Sequence, residues 1–174
     1  MNVYAFSDPH FDSARIIGYG ERPFRTVAEM NRRIIKNYNA VVGKNDVCYW
    51  LGDIMYDASQ DKVRHVLSQM RGRKFLIMGN HDRSHSETWW KNAGFDKVFP
   101  NPVYLAEHYI MLSHEPLEEL QNVSPIVNYH GHIHIQDYDF PNHQNYINVC
   151  VEKTDYKPVQ IQNPLIRAPR EFSR

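Results

Sequence analysis

Five short motifs carry the side chains of this chain that could do chemistry. In chain order they are Asp8-Pro9-His10, Gly52-Asp53, Gly79-Asn80-His81-Asp82, Ser113-His114 and Gly131-His132-Ile133-His134. Each motif follows an apolar run that is typical of a buried strand. Together they offer carboxylate, imidazole and amide groups, which are suitable ligands for two borderline transition metals. A site with two such metals side by side would be suited to displacement reactions at phosphorus.

Two of the motifs contain a pair of ligands separated by one residue. In an extended backbone, residues i and i+2 point to the same side. Asp8 and His10 could therefore reach one metal, and His132 and His134 form a similar pair. Asp53 would follow the central strand, where its carboxylate could bridge two cations. Each motif taken alone could equally be a turn or a surface feature, because short motifs are weak evidence.

The motif from Gly79 to Asp82 is the most specific of the five. Asn80 offers a neutral amide oxygen to a metal, while His81 beside it can face a substrate. We expect Asp82 to hold His81 in one tautomer and to favour its protonated form. His81 would then be a general acid for a leaving group. The alternative is an Asx turn with a surface histidine.

Apolar periodicity predicts the elements that must position these motifs. A first helix follows the capping box Thr26-Val27-Ala28-Glu29 and ends at Gly43. Two more helices are predicted at 61–71 and 86–93. The predicted strands are 2–6, 47–51, 75–78, 103–106, 109–112, 126–129, 146–151 and 158–161.

This order of elements is βαβαβ followed by mostly β structure. It predicts an α/β fold, specifically an α/β sandwich of two packed, mostly mixed β-sheets flanked by helices. The first half would be parallel with right-handed crossovers. We expect a single domain over residues 1–174, with an irregular C-terminal tail from about residue 164. Because ligands in such folds gather beyond the carboxyl ends of the strands, all five motifs should meet at one edge.

Composition narrows the possible partners. The chain has 174 residues, of which 42% are hydrophobic and 23% charged, and its formal net charge is zero. Neutrality argues against a strongly basic nucleic-acid surface, but a nucleotide or a short oligonucleotide remains possible as a substrate. The N-terminus does not resemble a signal peptide, and no apolar stretch approaches the ~20 residues of a membrane span. We therefore expect a cytoplasmic protein without membrane contact. Cys48 and Cys150 are expected to be buried free thiols.

The motif order D-x-H, G-D, G-N-H-D, a single His and G-H-x-H resembles the calcineurin-like metallophosphoesterase superfamily. The resemblance spans residues 8–134 and includes all five signature motifs. Two flanking stretches, Glu21-Arg22-Pro23-Phe24 and Tyr156-Lys157-Pro158-Val159, are similar to a small prokaryotic and phage branch. One departure from that branch is Phe11-Asp12 after the first histidine, which adds a carboxylate near the site.

The resemblance implies a centre with two divalent metal ions. Manganese is the first choice, and iron, zinc, nickel and cobalt also suit such ligands. Seven side chains would supply the ligands: Asp8, His10 and His134 for one metal, Asn80, His114 and His132 for the other, and Asp53 as the bridge. The resemblance also implies attack of a metal-activated hydroxide on phosphorus, with His81 as the general acid.

The expected substrate is a small-molecule or nucleotide-like phosphate ester, either a diester or a monoester. Asn80 and His81 are expected to contact it. Arg22 is a further candidate because a guanidinium suits bidentate contact with an oxyanion, and the alternative is a surface cation. Trp89 and Trp90 are expected to lie in or near the core rather than to stack on a base.

Two other functions stay open. A metal-binding scaffold on the same fold would be non-catalytic, although such proteins usually lose ligands or the histidine of G-N-H-D. A nuclease would need a basic groove, which the composition does not indicate, so long nucleic acid is not expected. The sequence does not indicate the oligomeric state.

Overall fold

Two β-sheets form the centre of the computed structural model, which describes residues 1–57, 59–120, 123–137 and 143–165. The strands of the first sheet are β1 Val3–Phe6, β2 Val47–Trp50, β3 Arg73–Ile77, β4 Lys97–Phe99 and β9 Val159–Gln160. Those of the second are β5 Val103–Leu105, β6 Ile110–Leu112, β7 Val127–His130 and β8 Tyr146–Asn148. The spatial orders are β4-β3-β2-β1-β9 and β5-β6-β7-β8.

Both sheets are mixed. Strands β1 to β4 are mutually parallel, and β9 joins the edge of β1 in the antiparallel direction. In the second sheet β5 and β6 form an antiparallel hairpin, whereas β6, β7 and β8 are parallel. The carboxyl ends of β1, β2, β3, β6 and β7 are the points from which the five motifs leave. The predicted α/β sandwich is confirmed.

In the described residues, four α-helices accompany the sheets: α1 Arg15–Tyr19, α2 Val27–Val41, α3 Gln60–Ser68 and α4 Glu87–Ala93. The predicted N-cap of α2 is formed, since Thr26 Oγ1 accepts the N–H of Glu29 at 3.2 Å, but the Glu29 carboxylate accepts the N–H of Arg25 at 3.0 Å instead of that of Thr26. Ser59 and Ser86 cap α3 and α4 in the same way. Among the described residues, no helix combines the length and the apolar character needed to cross a membrane.

Successive side chains of a strand point to opposite faces of the sheet, so the hydrophobic core has two parts. On β1, Tyr4 and Phe6 face the helical side, whereas Ala5 faces the second sheet. Ala5, Leu51 and Ile77 pack with residues of β6 and β7, and this layer joins the two sheets. The predicted core residue Trp90 is fully buried, and Trp89 packs against the same cluster. Cys48 and Cys150 are buried free thiols, as predicted.

Several details differ from the prediction, among them the end of the predicted strand 146–151, which is Asn148. Helix α1 and strand β4 were not predicted, because five and three residues are too few to show a period. Helix α3 ends at Ser68, three residues earlier than expected. The N–H groups of Gln69 and Met70 there bond to carbonyls three residues back, which tightens the last turn.

Candidate metal centre

Asp8, His10 and His134 form the first of two ligand groups beyond the sheet edge. His10 Nε2 and His134 Nε2 each lie 3.8 Å from Asp8 Oδ1. The other oxygen, Asp8 Oδ2, accepts hydrogen bonds from Ser7 Oγ at 2.5 Å and from the N–H of His132 at 2.9 Å. Asp8 Oδ1 and His10 Nε2 are buried and have no hydrogen-bond partner. A buried carboxylate oxygen without a donor is costly, and a cation between these atoms would satisfy both.

Asn80, His114 and His132 form the second group. His114 Nε2 lies 2.9 Å from Asn80 Oδ1, and His132 Nδ1 lies 3.1 Å from both atoms. His114 Nδ1 donates to the carbonyl of Leu51 at 2.7 Å. Because a carbonyl can only accept, this bond places the proton on Nδ1 and leaves the lone pair of Nε2 directed at the group.

Asp53 faces both groups. Its Oδ2 lies 3.6 Å from His10 Nε2 of the first group, and its Oδ1 lies 3.5 Å from His114 Nε2 of the second. The N–H of His81 also donates to Oδ1, at 3.0 Å. Potential ligand atoms of Asp8, His10 and His134 lie within 4.8 Å of one another, and the same holds for Asp53, His114 and His132. The sequence-predicted ligands are therefore brought together around one shared carboxylate.

Left-handed backbone marks the candidate ligands. Positive φ is uncommon outside glycine and is found where surrounding structure enforces it, often at functional sites. Five of the seven candidates adopt it, with the angles Asp8 56°, His10 47°, Asp53 55°, His132 70° and His134 51°. Three of the five motifs, those that contain Asp8, Asp53 and His132, thus turn sharply as they leave their strands. These turns, rather than an extended i and i+2 geometry, aim the paired ligands at one point.

The glycines of two motifs allow the loops after β2 and β3 to touch. A Cβ on Gly52 would lie 2.5 Å from His114 Nδ1 and 2.6 Å from the Cα of Gly79. A Cβ on Gly79 would collide with Asp53 Oδ1. A side chain at Gly52 would therefore displace His114 or separate the two loops, and one at Gly79 would push the shared carboxylate away.

His81 lies at the open side of the centre. Its side chain is 39% exposed, and its Nε2 is 3.7 Å from Asp53 Oδ2. The ring makes edge contacts with those of His10 and Tyr56, whose centroids lie 5.5 and 5.6 Å away. The structure thus places an accessible imidazole beside the two ligand groups.

The expectation that Asp82 holds the imidazole of His81 is wrong. The carboxylate of Asp82 is fully buried and accepts the N–H groups of Asp53, Ile54 and Gly79 at 2.8–3.0 Å. Burial and the nearby charge of Asp53 raise its pKa. Asp82 therefore ties the loop after β2 to the loop after β3, because these backbone donors occupy both of its oxygens.

The expectation that Arg22 contacts a substrate is also wrong. Its side chain is completely buried. The guanidinium donates to the carbonyls of Asp8 and Pro9, both at 2.7 Å, and pairs with Glu152 at 2.7 Å. Arg22 therefore supports the backbone of the first motif on the side that faces the protein interior. Asp12 also faces away from the centre, since its carboxylate accepts the amide of Asn31 at 2.6 Å.

Glu152 is a residue of the site that sequence reasoning missed. Its Oε1 accepts from His134 Nδ1 at 3.0 Å and from Arg22 Nε at 2.9 Å. The bond fixes the proton of His134 on Nδ1 and leaves Nε2 directed at Asp8. Only its position shortly after the last strand of the second sheet could have indicated this role, and no motif marks it.

The charged groups of the centre lower the pKa of one carboxylate and raise the pKa values of two histidines. Burial alone would raise the pKa of Asp8, but His10, His114 and His134 hold it well below its usual range. Burial opposes protonation of His114 and His134, yet nearby carboxylates outweigh it and raise both pKa values. For His114 these are Asp8 and Asp53. The pocket thus favours positive charge beside its buried carboxylates.

The residues present fit a pair of divalent metals. Each group combines imidazole with a carboxylate or amide oxygen, which is the ligand mixture that borderline metals accept. The unpartnered Asp8 Oδ1 and His10 Nε2 face the same point as His134 Nε2. At 3.8 Å, both histidine nitrogens are too far from Asp8 Oδ1 to donate a hydrogen bond to it.

Comparison with known proteins gives the family. The calcineurin-like phosphoesterase family matches residues 1–164. The uncharacterized protein MJ1445 of Methanocaldococcus jannaschii is 34% identical over 163 residues, which cover 91% of this chain and 86% of that protein. The gene 66 protein of Mycobacterium phage L5 is 33% identical over 86 residues, covering 48% of this chain and 41% of the phage protein.

A solved structure agrees with this assignment at the level of the fold. The crystal structure of AQ665 from Aquifex aeolicus, a protein of unknown function, is similar with a TM-score of 0.72 and 25% identity. The match covers 91% of this chain and 95% of that one. The resemblance indicated by the five motifs is thereby confirmed, and the chain belongs to the calcineurin-like phosphoesterase family.

Proposed function

We propose that this protein is a dinuclear metal-dependent phosphoesterase that hydrolyses a phosphodiester or phosphomonoester of a small-molecule or nucleotide-like substrate. The observation that carries the proposal is the position of Asp53. Its two oxygens lie 3.6 and 3.5 Å from imidazole nitrogens that belong to different ligand groups. A single carboxylate between two complete groups is the arrangement that would hold two cations side by side.

The ligand charges support an anionic substrate. The candidate set contains two carboxylates, Asp8 and Asp53, and its other members are neutral as ligands. Two divalent cations would leave an excess of positive charge, which suits a phosphate group. Such a metal pair supplies Lewis-acid stabilisation of charge at phosphorus and lowers the pKa of water.

His81 is the proposed proton donor. It faces the open side of the centre, and the backbone bond from its N–H to Asp53 fixes its position relative to the shared carboxylate. Its Nε2 lies 3.7 Å from Asp53 Oδ2. In the proposed reaction, Nε2–H would donate its proton to the leaving oxygen. Asn80, in the second ligand group, borders the same cleft.

The proposal is tested by hydrolysis of bis-p-nitrophenyl phosphate and p-nitrophenyl phosphate by metal-stripped protein, before and after addition of Mn²⁺. Turnover that needs the metal is expected, and the ratio of diester to monoester activity would identify the preferred bond. Asp53→Asn should reduce the rate by at least ~100-fold, because loss of a ligand should cost no less than loss of its supporting contacts. Asp61→Asn is the matched control, since Asp61 is a solvent-exposed carboxylate on α3.

Metal binding and oligonucleotide binding, measured beside hydrolysis, address the alternative functions. Two bound metals without turnover of either ester would contradict catalysis on simple esters and favour a metal-binding scaffold. Salt-sensitive binding of oligonucleotides would favour a nuclease. The complete ligand set and the accessible His81 support the enzyme over the scaffold.

A further inference from the structure

Helix α1 carries two exposed side chains at the mouth of the metal centre. Arg15 and Tyr19 are four residues apart, so they lie on the same face of the helix. Tyr19 is 72% exposed, although its ring makes an edge contact with that of His134 at a centroid distance of 6.0 Å. Tyr19 also lines the cleft of about 430 Å³ that contains Asp53 and His81. An aromatic ring therefore borders the first ligand group from the solvent side.

A second exposed tyrosine borders the general-acid candidate. Tyr56 is 46% exposed, and its ring lies 5.6 Å from that of His81. The guanidinium of Arg15 lies 5.9 Å from the centre of the Tyr56 ring. Arg15 has no carboxylate within 4 Å in the part of the chain that the structure describes, so its charge is open to an anion. Cation and ring thus lie together beside the cleft.

Exposed apolar side chains are concentrated at this position. Seven large apolar side chains are exposed among the described residues. Three of them lie beside two histidines of the site. Tyr19 contacts the ring of His134, Tyr56 contacts that of His81, and Ile135 directly follows His134. Large rings left in water around a polar cleft are typical of a binding surface. Tyrosine offers a flat face on which a planar ring can stack.

We propose that Tyr19 and Tyr56 form an aromatic rim that selects phosphate esters carrying a planar ring, of which nucleotides are the chemical class that fits. The phosphate would lie at the metal centre, the planar ring of the substrate would stack on a tyrosine of the rim, and Arg15 would add positive charge beside Tyr56. This inference rests on the proposed function, because it assigns the organic part of the same substrate.

Two diesters with the same leaving group test the rim. Thymidine 5′-(p-nitrophenyl phosphate) and methyl p-nitrophenyl phosphate both release p-nitrophenolate, so they differ only in the group that the rim would bind. The Mn²⁺-loaded protein should prefer the thymidine ester on the order of tenfold in kcat/KM, mainly through KM. Tyr19→Ala and Tyr56→Ala should each reduce that preference, and the matching Phe variants should restore it because the ring is kept.

Tyr104→Ala is the matched control. Tyr104 is 43% exposed, similar to Tyr56, but lies on β5 beside a different cavity. It should leave the preference unchanged. The rim is refuted if the wild-type protein does not prefer the thymidine ester. It is also refuted if the alanine variants lower kcat/KM equally for both esters, as a purely structural role would.

A binding measurement separates failure of the rim from failure of the proposed function. If neither ester is hydrolysed, catalysis on such esters fails, and calorimetry with the Mn²⁺-loaded protein then tests the rim alone. Thymidine 5′-monophosphate should bind more tightly than methyl phosphate, and Tyr19→Ala should reduce the difference. Equal affinities in the wild-type protein would refute the rim whatever the activity.

Discussion

Arg22 and Glu152 form a buried ion pair of 2.7 Å that joins positions 130 residues apart in the chain. The guanidinium also holds the carbonyls of Asp8 and Pro9, while the carboxylate also holds His134. One pair thus supports both loops that supply the first ligand group. Burial would raise the pKa of Glu152, but the bond from His134 and the charge of Arg22 lower it, so the carboxylate is ionised.

Arg22→Met should strongly destabilise the protein. It would leave the carboxylate of Glu152 buried without its cation, which typically costs about 3–5 kcal/mol. Urea unfolding of the metal-stripped protein measures the loss. Arg64→Met is the control, because Arg64 pairs with an exposed Asp61 and such surface pairs contribute about 1 kcal/mol or less. Similar losses for the two variants would contradict the role given to Arg22.

Glu152→Gln should weaken the metal held by the first ligand group. Glutamine cannot supply the negative charge that orients and polarises His134, and loss of such a supporting carboxylate typically costs 10–100-fold in affinity, so we expect roughly tenfold. Calorimetric titration of metal-stripped protein with Mn²⁺ should show one site weakened and the other retained. Glu115→Gln is the control, since Glu115 is an exposed acid next to His114 in sequence. Unchanged metal affinity at both sites would contradict a role of Glu152 in orienting and polarising His134.

Asp82→Asn should lower stability rather than remove the general acid. An amide has one oxygen where the carboxylate has two, so at least one of the three backbone N–H groups loses its acceptor, at a cost of about 1–3 kcal/mol. Chemical unfolding measures this loss, and the pH profile of kcat reports on His81. A shifted pH profile at unchanged stability would instead restore the expectation that Asp82 sets the protonation of His81.

The convergence of the five motifs could be predicted because short stretches of sequence show both where the strands lie and which ligand types follow them. Apolar runs mark β1, β2 and β3, and each ends next to a polar motif, so their common edge follows from parallel pairing. The roles of Arg22 and Asp82 could not be predicted in this way. Both residue types suit exposed or catalytic positions equally well, and only the packing shows that backbone groups surround them.

Longer-range features left even less signal. Glu152 contacts His134 through a turn that follows β8, and no spacing in the sequence relates the two. Helix α1 is only five residues long, with Ile16 as its one buried residue, so it has no apolar stripe to detect. The same helix carries Arg15 and Tyr19, so the candidate aromatic rim could not be predicted from the sequence.

Metal affinity should fall as the pH decreases. His114 and His134 must lose their protons to bind a metal, and both pKa values are raised above 6.5 in the metal-free protein. The weakening should therefore begin at a higher pH than it would for unperturbed histidines. Mn²⁺ titrations at several pH values, in buffers with different ionisation enthalpies, would measure the protons released. Affinity that is constant between about pH 6 and 8 would contradict histidine ligation.

In the metal-free protein, His114 and His134 should contribute more to the free energy of unfolding at low pH than at high pH. This trend is opposite to that of the metal affinity. A raised pKa in the folded state contributes stability below the unfolded value of 6.5. That contribution disappears as the pH rises through the folded pKa values. His114→Gln should flatten this part of the profile, which unfolding experiments on stripped protein can detect.

The central claim is that one carboxylate, Asp53, joins two metal sites. Electron paramagnetic resonance of metal-stripped protein titrated with Mn²⁺ tests it most directly. We predict two Mn²⁺ ions per chain with an exchange-coupled spectrum, and loss of the coupling in Asp53→Asn but not in Asp61→Asn. One ion per chain, or two ions that keep the six-line signal of isolated Mn²⁺, would contradict the account.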